Sequence, residues 1–361
     1  MNRKILAAAS MLVAGSAAAQ TSVTLYGIAD VGIEYANHQV GGGNSVVRVS
    51  SGNLAGSRWG LRGTEDLGRG LKALFSLESG FDIDTGKSGQ GNRLFGRQAF
   101  VGLQHQYGTL TLGRHIAPFY EFGVIYDPMI IAPKYGLLTQ DIGFVGRADN
   151  SVKYTGNFGG WTAVALYSTG ADSNVAGGSE VPGNSKLGRE YSGRISYDGG
   201  PFSVGVVYDE TNVGTVTSNP DAKLRRASVA GLYVIGNARA YVGYRWARGY
   251  DGATLQGAQT GNGNQGSNLY WAGLQYQLTS ALSMAAAAYY QDFKNTGSDP
   301  WLFSALLDYT LSKRTDLYAA VGYTKNKGNS SLGLSAGASG FGNTNPGTNQ
   351  FGATVGIRHK F

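Results

Sequence analysis

Apolar residues fall on every second position through most of this chain, the periodicity of a strand with two unlike faces. In "VTLYGIADVGIEY", Val23, Leu25, Ala29, Val31, Ile33 and Tyr35 share one face, and Thr24, Tyr26, Asp30 and Glu34 share the other. "GLKALFSLESGF" sets Leu71, Ala73, Phe75, Leu77 and Phe81 against Lys72, Ser76 and Glu78. "REYSGRISYD" sets Tyr191, Ile195 and Tyr197 against Glu190, Ser192, Arg194 and Ser196. "ARAYVGYRWA" sets Ala240, Val242, Tyr244 and Trp246 against Arg239, Tyr241 and Arg245, and "PWLFSALLDYTL" and "TDLYAAVGYTK" continue the pattern. Segments 160–168 and 223–235 alternate less cleanly, and the pattern does not assign their faces. The chain stops on the same motif: "GATVGIRHKF" puts Ala353, Val355, Ile357 and Phe361 on one side, Arg358 and Lys360 on the other.

Two kinds of connection alternate between these strands. Short ones with Gly, Asn, Asp or Pro are "EDLGRG" (65–70), "HQYGT" (105–109), "NFGG" (157–160), "DGGP" (198–201), "IGNA" (235–238), "LTSA" (278–281) and "LSKRT" (311–315). Such turns close antiparallel hairpins. The long connections are rich in Gly, Asn and Ser, as in 171–188, 251–267 and 328–349. Seven hairpins and one strand at each end give 16 strands, each about 10 residues long, which is what a tilted strand needs to cross a bilayer.

An apolar face backed by a face of Lys, Arg, Glu and Asp does not suit a soluble sandwich, whose inner faces are both apolar. Tyr35, Phe81, Tyr197, Trp246, Tyr323 and Phe361 stand near strand ends, where they suit the aromatic girdles of a membrane barrel. Hydrocarbon does not tolerate an open sheet edge, so the last strand is expected to pair back to the first, residues 22–36. The fold expected is all-β: a 16-stranded antiparallel transmembrane β-barrel whose third long loop folds inward.

Composition supports an exported chain. Charged residues are 15%, with 57 glycines, 22 tyrosines, four histidines and no cysteine. The absence of cysteine excludes disulfides, thiolate metal sites and cysteine nucleophiles. The opening "MNRKILAAASMLVAGSAAAQ" has Arg3 and Lys4, an apolar run and small residues at 17 and 19. That is a secretory signal, residues 1–19, cut before Gln20; residues 20–361 are then one barrel domain. Its removal takes the formal charge from +7 to +5. Beyond it, no run of about 18 apolar residues offers a helical span.

"IAPFYEFGVIYDPMIIAPKYGLL" is interrupted by Pro118, Pro128 and Pro133 and reads as irregular loop. The connection 116–145 is the long one rich in apolar and aromatic residues. Long structured loops are usually functional, and this one needs a wall to pack on. Folded into the lumen, it would bring Glu121, Asp127 and Asp141 near the pore axis as an acidic constriction. Parity puts Arg58, Arg62, Lys72 and Lys153 on the inner wall, with Arg147 and Asp149. Arg97 and Arg114 share parity with apolar neighbours, but a bulge or bend near their strand ends would turn them inward. Cations facing acids across a narrow gap create a transverse field that disfavours apolar solutes. The excess of positive charge points to a weak anion preference.

"SVTLYGIADVGIEY", "GSRWGLRGTEDLGRGLKALFSLESGF" (56–81), "GRQAFVGLQHQYGTLTLGR" (96–114), "LSKRTDLYAAVGYTKNK" (311–327) and the closing "VGIRHKF" together resemble the general diffusion porins of beta-proteobacterial outer membranes. The resemblance spans essentially the whole mature chain. It implies a homotrimer in the outer membrane, among lipid and lipopolysaccharide, passing ions and small hydrophilic solutes. It also implies the inward third loop.

Two other readings stay open at this point. A substrate-specific channel for sugars would need an aromatic ladder along the lumen; Tyr26, Tyr241 and Tyr318 have lumen parity but lie on distant strands. A barrel enzyme would need a histidine beside a carboxylate or serine, and of His38, His105, His115 and His359 only His115 could enter the lumen, with Glu121 nearby in sequence. "GGGNS" (41–45) lacks the Lys-Ser/Thr of a phosphate loop. Spread basic charge argues against nucleic acid. No cofactor or metal site is expected.

Overall fold

The computed structural model describes residues 22–171, 180–258, 265–334 and 340–361. The expected signal segment lies outside the described residues. Seventeen strand segments form one antiparallel sheet that closes on itself. β1 (Ser22–Ala36) is followed by β2 (Val46–Ser51) and β3 (Arg58–Gly68), which share its flank: Val31–Ala36 of β1 pair with β2 and Ser22–Ile28 with β3. β2 and β3 are therefore the two halves of one barrel strand, and the closed barrel has 16 strands. Asp30 explains the interruption. Its carboxylate accepts from the Leu54 and Ala55 amides (2.9 and 2.7 Å), drawing residues 52–57 out of the wall into the lumen.

The seven hairpins lie where the short turns predict. They are β3 with β4 (Leu71–Gly80), β5 (Gln98–His105) with β6 (Gly108–Ile116), and β7 (Arg147–Phe158) with β8 (Trp161–Ala171). β9 (Glu190–Asp198) joins β10 (Phe202–Asn212), and β11 (Lys223–Ile235) joins β12 (Ala238–Tyr250). β13 (Gly266–Gln277) with β14 (Leu282–Phe293) and β15 (Trp301–Thr310) with β16 (Thr315–Lys325) complete the set. β17 (Gln350–Lys360) closes the ring against β1, from Ile28↔Lys360 to Ala36↔Gly352.

The final residue takes part in closure. Gly27 and Phe361 exchange backbone hydrogen bonds of 2.9 and 3.1 Å. A Cβ on Gly27 would fall 2.3 Å from Cζ of the Phe361 ring, so glycine there makes room for the aromatic terminus.

Alternation sorts the faces as expected. Val23, Leu25, Ile33, Val242 and Val355 are exposed on the outer surface, while Asp30, Glu34, Arg194 and Tyr241 are buried on the inner one. Paired aromatics, exposed Trp161 with half-buried Tyr197 and half-buried Tyr290 with exposed Trp301 (centroids 4.9 and 4.6 Å apart), stand at opposite strand ends. Phe81 departs from the girdle expectation: it is half-buried, bridges to Ser88 and lines the internal cavity.

The unassigned segments also resolve. Val164 and Leu166 of β8 and Ala230 of β11 are buried on the inner face. The inner wall is apolar where the third loop covers it, so both faces of these strands are apolar and the two-residue period fades.

Candidate functional site: the constricted lumen

The connection 116–145 folds into the barrel. Pro118–Tyr126 form a helix, against the expectation of irregular loop throughout. Pro118 occupies its first position, where proline loses no helical hydrogen bond. Asp127 precedes Pro128 and adopts extended backbone, ending the helix. Phe119, Phe122 and Tyr126 recur on one face and pack, with Met129, Leu137 and Phe144, against Val207, Leu269, Trp271 and Leu302 of the wall. Trp271 Nε1 donates to the Tyr126 carbonyl (2.9 Å) and Gln275 Nε2 to that of Pro128 (2.7 Å).

The three loop acids are each engaged by donors or cations, Asp127 and Asp141 buried and Glu121 half-buried, and none of the three lines the cavity left beside the loop. Asp127 is buried: its carboxylate accepts from the amides of Met129 (3.1 Å), Ile131 (3.0 Å) and Leu137 (2.9 Å) and from the Tyr289 hydroxyl. Burial raises its pKa above the ordinary aspartate range, and these donors only partly oppose the shift. Asp141 is buried against the wall, where Arg226 (3.1 Å) and Arg245 (3.0 Å) bind it. Burial alone would raise its pKa, but the two guanidinium groups outweigh burial and hold it low. Glu121 pairs with Lys153 and lies 3.5 Å from Arg194. The physical reason is common to all three: a carboxylate in an apolar loop is stable only against donors, and the wall supplies them.

A lysine pins the loop's far side. Lys134 Nζ donates to Glu34 Oε2 (2.7 Å), Ser50 Oγ (3.0 Å) and Asn53 Oδ1 (2.6 Å). Burial lowers its pKa, with Glu34 opposing.

The space left beside the loop is a cavity of about 1000 Å³. Arg58, Arg97, Arg147, Arg226 and Arg358 line it, against Asp82, Glu190, Asp209 and Asp308. Arg97 bonds Glu78 (2.6 Å), Arg226 is held by Asp141, and Arg358 by Asp308 and Asp316 (both 3.0 Å). Arg58 donates to the Gly56 carbonyl (3.0 Å) and makes no carboxylate ion pair among the described residues. Tyr120 sits among Arg58, Arg97 and Arg147: burial would raise its pKa, and the three guanidinium groups bring it below the phenol range.

The remaining expected wall cations occupy other places. Arg62 lies 5.0 Å over the Tyr26 ring, and Lys72 is exposed across from Asp66 and Gln104 toward the short-turn end. Lys153 serves Glu121. Arg114 turns inward where the β6–β7 register shifts between Gly113 and His115, and it binds Asp149 (2.6 Å). None of these four lines the cavity. Arg194, Arg226, Arg245, Arg358 and Lys134 were not singled out from sequence. Alternation already sets Arg194, Arg245 and Arg358 on the face opposite the apolar one, but gives no ground to choose them over other polar-face residues; Arg226 lies in the segment with unassigned faces. His115 is buried, stacked on Phe100 and 2.7 Å from Ser151 Oγ, so it meets a serine rather than Glu121; that serine also bonds the Gly113 and Ala148 carbonyls, and neither residue lines the cavity.

Residues 6–329 match the Gram-negative porin family. The chain belongs to that family. An outer membrane porin of Bordetella pertussis is 36% identical over 90% of this chain and 94% of its own. Outer membrane porin protein 32 of Delftia acidovorans is 32% identical over the full length of both. Among solved structures, an anion-selective porin from Comamonas acidovorans superposes with a TM-score of 0.80, at 28% identity, over 95% of this chain and all of that one. OmpT of Vibrio cholerae in its trimer form shares the fold at 15% identity, with a TM-score of 0.65. The porin is thus an outer-membrane β-barrel, and its relatives are channels.

Proposed function

We propose that this porin forms a homotrimeric, water-filled channel for passive diffusion of ions and small hydrophilic solutes, with a preference for anions. The observation that carries the reading is the cavity's charge balance: Arg58, Arg97, Lys134, Arg147, Arg226 and Arg358 line it against the four acids Asp82, Glu190, Asp209 and Asp308, while the loop acids Glu121, Asp127 and Asp141 are engaged by other partners. Arginine rings favour anions. Arg58 contributes the least compensated charge, and Arg97 and Arg147 stand with it around Tyr120. The anion selectivity of the Comamonas acidovorans porin supports the same direction. Outer-membrane lipid and lipopolysaccharide would meet the exposed apolar belt, and each barrel of the trimer would conduct separately.

The test is planar-bilayer conductance with liposome swelling. Current steps in groups of three and solute flux that falls smoothly with size support the proposal. Saturating uptake of one solute class supports a substrate-specific channel instead.

A further inference from the structure

The face that the third loop turns to the cavity is apolar. Val124 (44% exposed), Ile130 (58%) and Ile142 (41%) all line the cavity, with Met129 and Leu138 beside them. Large apolar side chains left open to water in a conduction path serve no packing purpose, since the loop's buried face already holds it to the wall. Ile130 is also held at φ +51°, a left-handed conformation that a β-branched residue rarely adopts. The amide of Ile131, which follows it, donates to the buried Asp127 carboxylate and keeps that shape. Such strain persists only where surrounding structure imposes it.

Arg58, Arg97 and Arg147 line the same cavity, gathered around Tyr120 of the loop helix. A cavity lined by both an apolar strip and guanidinium groups is complementary to a solute with both characters. We propose that the constriction discriminates among anions by their apolar bodies, favouring short branched-chain or aromatic monocarboxylates over hydroxylated anions of equal size and charge. The carboxylate would pair with the arginine wall, Arg58 foremost, while the hydrocarbon part slides along Val124, Ile130 and Ile142. This rests on the anion-preference reading and adds to it a second, apolar criterion, reversing for anions along the Val124, Ile130 and Ile142 strip the rejection of apolar solutes that a transverse field alone would impose.

Isobutyrate and lactate test it, because they differ in a methyl against a hydroxyl at nearly equal size. Reversal potentials of the purified full-length porin in planar bilayers, with chloride on one side and either acid on the other at neutral pH, give their relative permeabilities. The expected ratio favours isobutyrate by about fourfold, the effect of desolvating roughly one methylene, with benzoate also ahead of lactate. Ile142→Asn and Val124→Ser each bring the ratio toward one. Heat-modifiable mobility on gels identifies a variant that fails to form the barrel; Ile130→Asn, whose side chain tolerates the left-handed region, is then read in its place. Lactate passing as readily as isobutyrate through the parent, or a ratio unmoved in the folded variants, overturns the inference. Chloride preference over potassium with no isobutyrate advantage sinks this inference alone, whereas potassium preference sinks the anion reading beneath it.

Discussion

Asp127→Ala separates a structural acid from a pore acid. In the folded porin this carboxylate gathers four donors: three loop amides and the Tyr289 hydroxyl. Alanine leaves all four without their acceptor in a buried site. A hydrogen bond to a charged group contributes about 1.5–3 kcal/mol; with water entering to replace part of the loss, the net cost to the loop is on the order of 4 kcal/mol. That is close to a thousandfold in the population of loop-open molecules. The barrel wall keeps its own ladder, so the barrel survives while the loop loosens. The chain contains no cysteine, so Thr139→Cys, at a buried position close in size, gives a single reporter thiol. Its reaction with a small maleimide is expected to be slow in the parent background. With Asp127→Ala it is expected to rise at least a hundredfold, about two-thirds of the opening free energy, with larger and noisier single-channel conductance. Unchanged labelling together with an altered ion preference would refute this and restore Asp127 as a lining acid.

The same carboxyl makes the loop pH-sensitive. Its folded pKa is raised, so the part of its contribution linked to the bound proton is fully present below the ordinary value of 3.8 and is lost as pH rises through the raised value, leaving the hydrogen bonds of the carboxylate; the protection that the parent enjoys over Asp127→Ala should therefore shrink, without vanishing, as pH increases, with labelling normalised to free cysteine. Asp141 runs the other way: its pKa is lowered, so its tether holds above 3.8 and is lost only as pH falls through the lower folded value. Deleting Phe361 removes two closing hydrogen bonds and the ring over Gly27, a loss of roughly 2–4 kcal/mol, and should lower the temperature at which the folded gel mobility disappears; an unchanged temperature contradicts its role in closure. Glu121→Gln leaves Lys153 and Arg194 without their shared counter-charge and should shift the reversal potential further toward anions; a shift toward cations would contradict the pairing.

Strand faces and hairpins were legible because period and turn chemistry are local. β1 spans 22–36 as read from alternation, and all seven short turns close hairpins. What escaped depends on contacts made across the lumen. The split of the second barrel strand into β2 and β3 rests on Asp30 capturing two amides more than twenty residues away. Pro118 reads as a breaker in a linear pass, yet it begins a helix because it sits at the first position. The blurred alternation in β8 and β11 reflects a loop packed on their inner faces. The acids of that loop were visible in sequence, but their direction was set by arginines on strands far along the chain, Arg194, Arg226 and Arg245. Charge can be read from sequence. Its partner cannot.

The zero-current potential of the purified porin in a planar bilayer, across a tenfold gradient of potassium chloride, tests the cationic lumen most directly. The expected sign is that of a chloride-preferring channel, with the preference reduced in Arg58→Ala. A potential of the opposite sign, showing potassium passing ahead of chloride, would contradict the placement of uncompensated arginine charge on the conduction path.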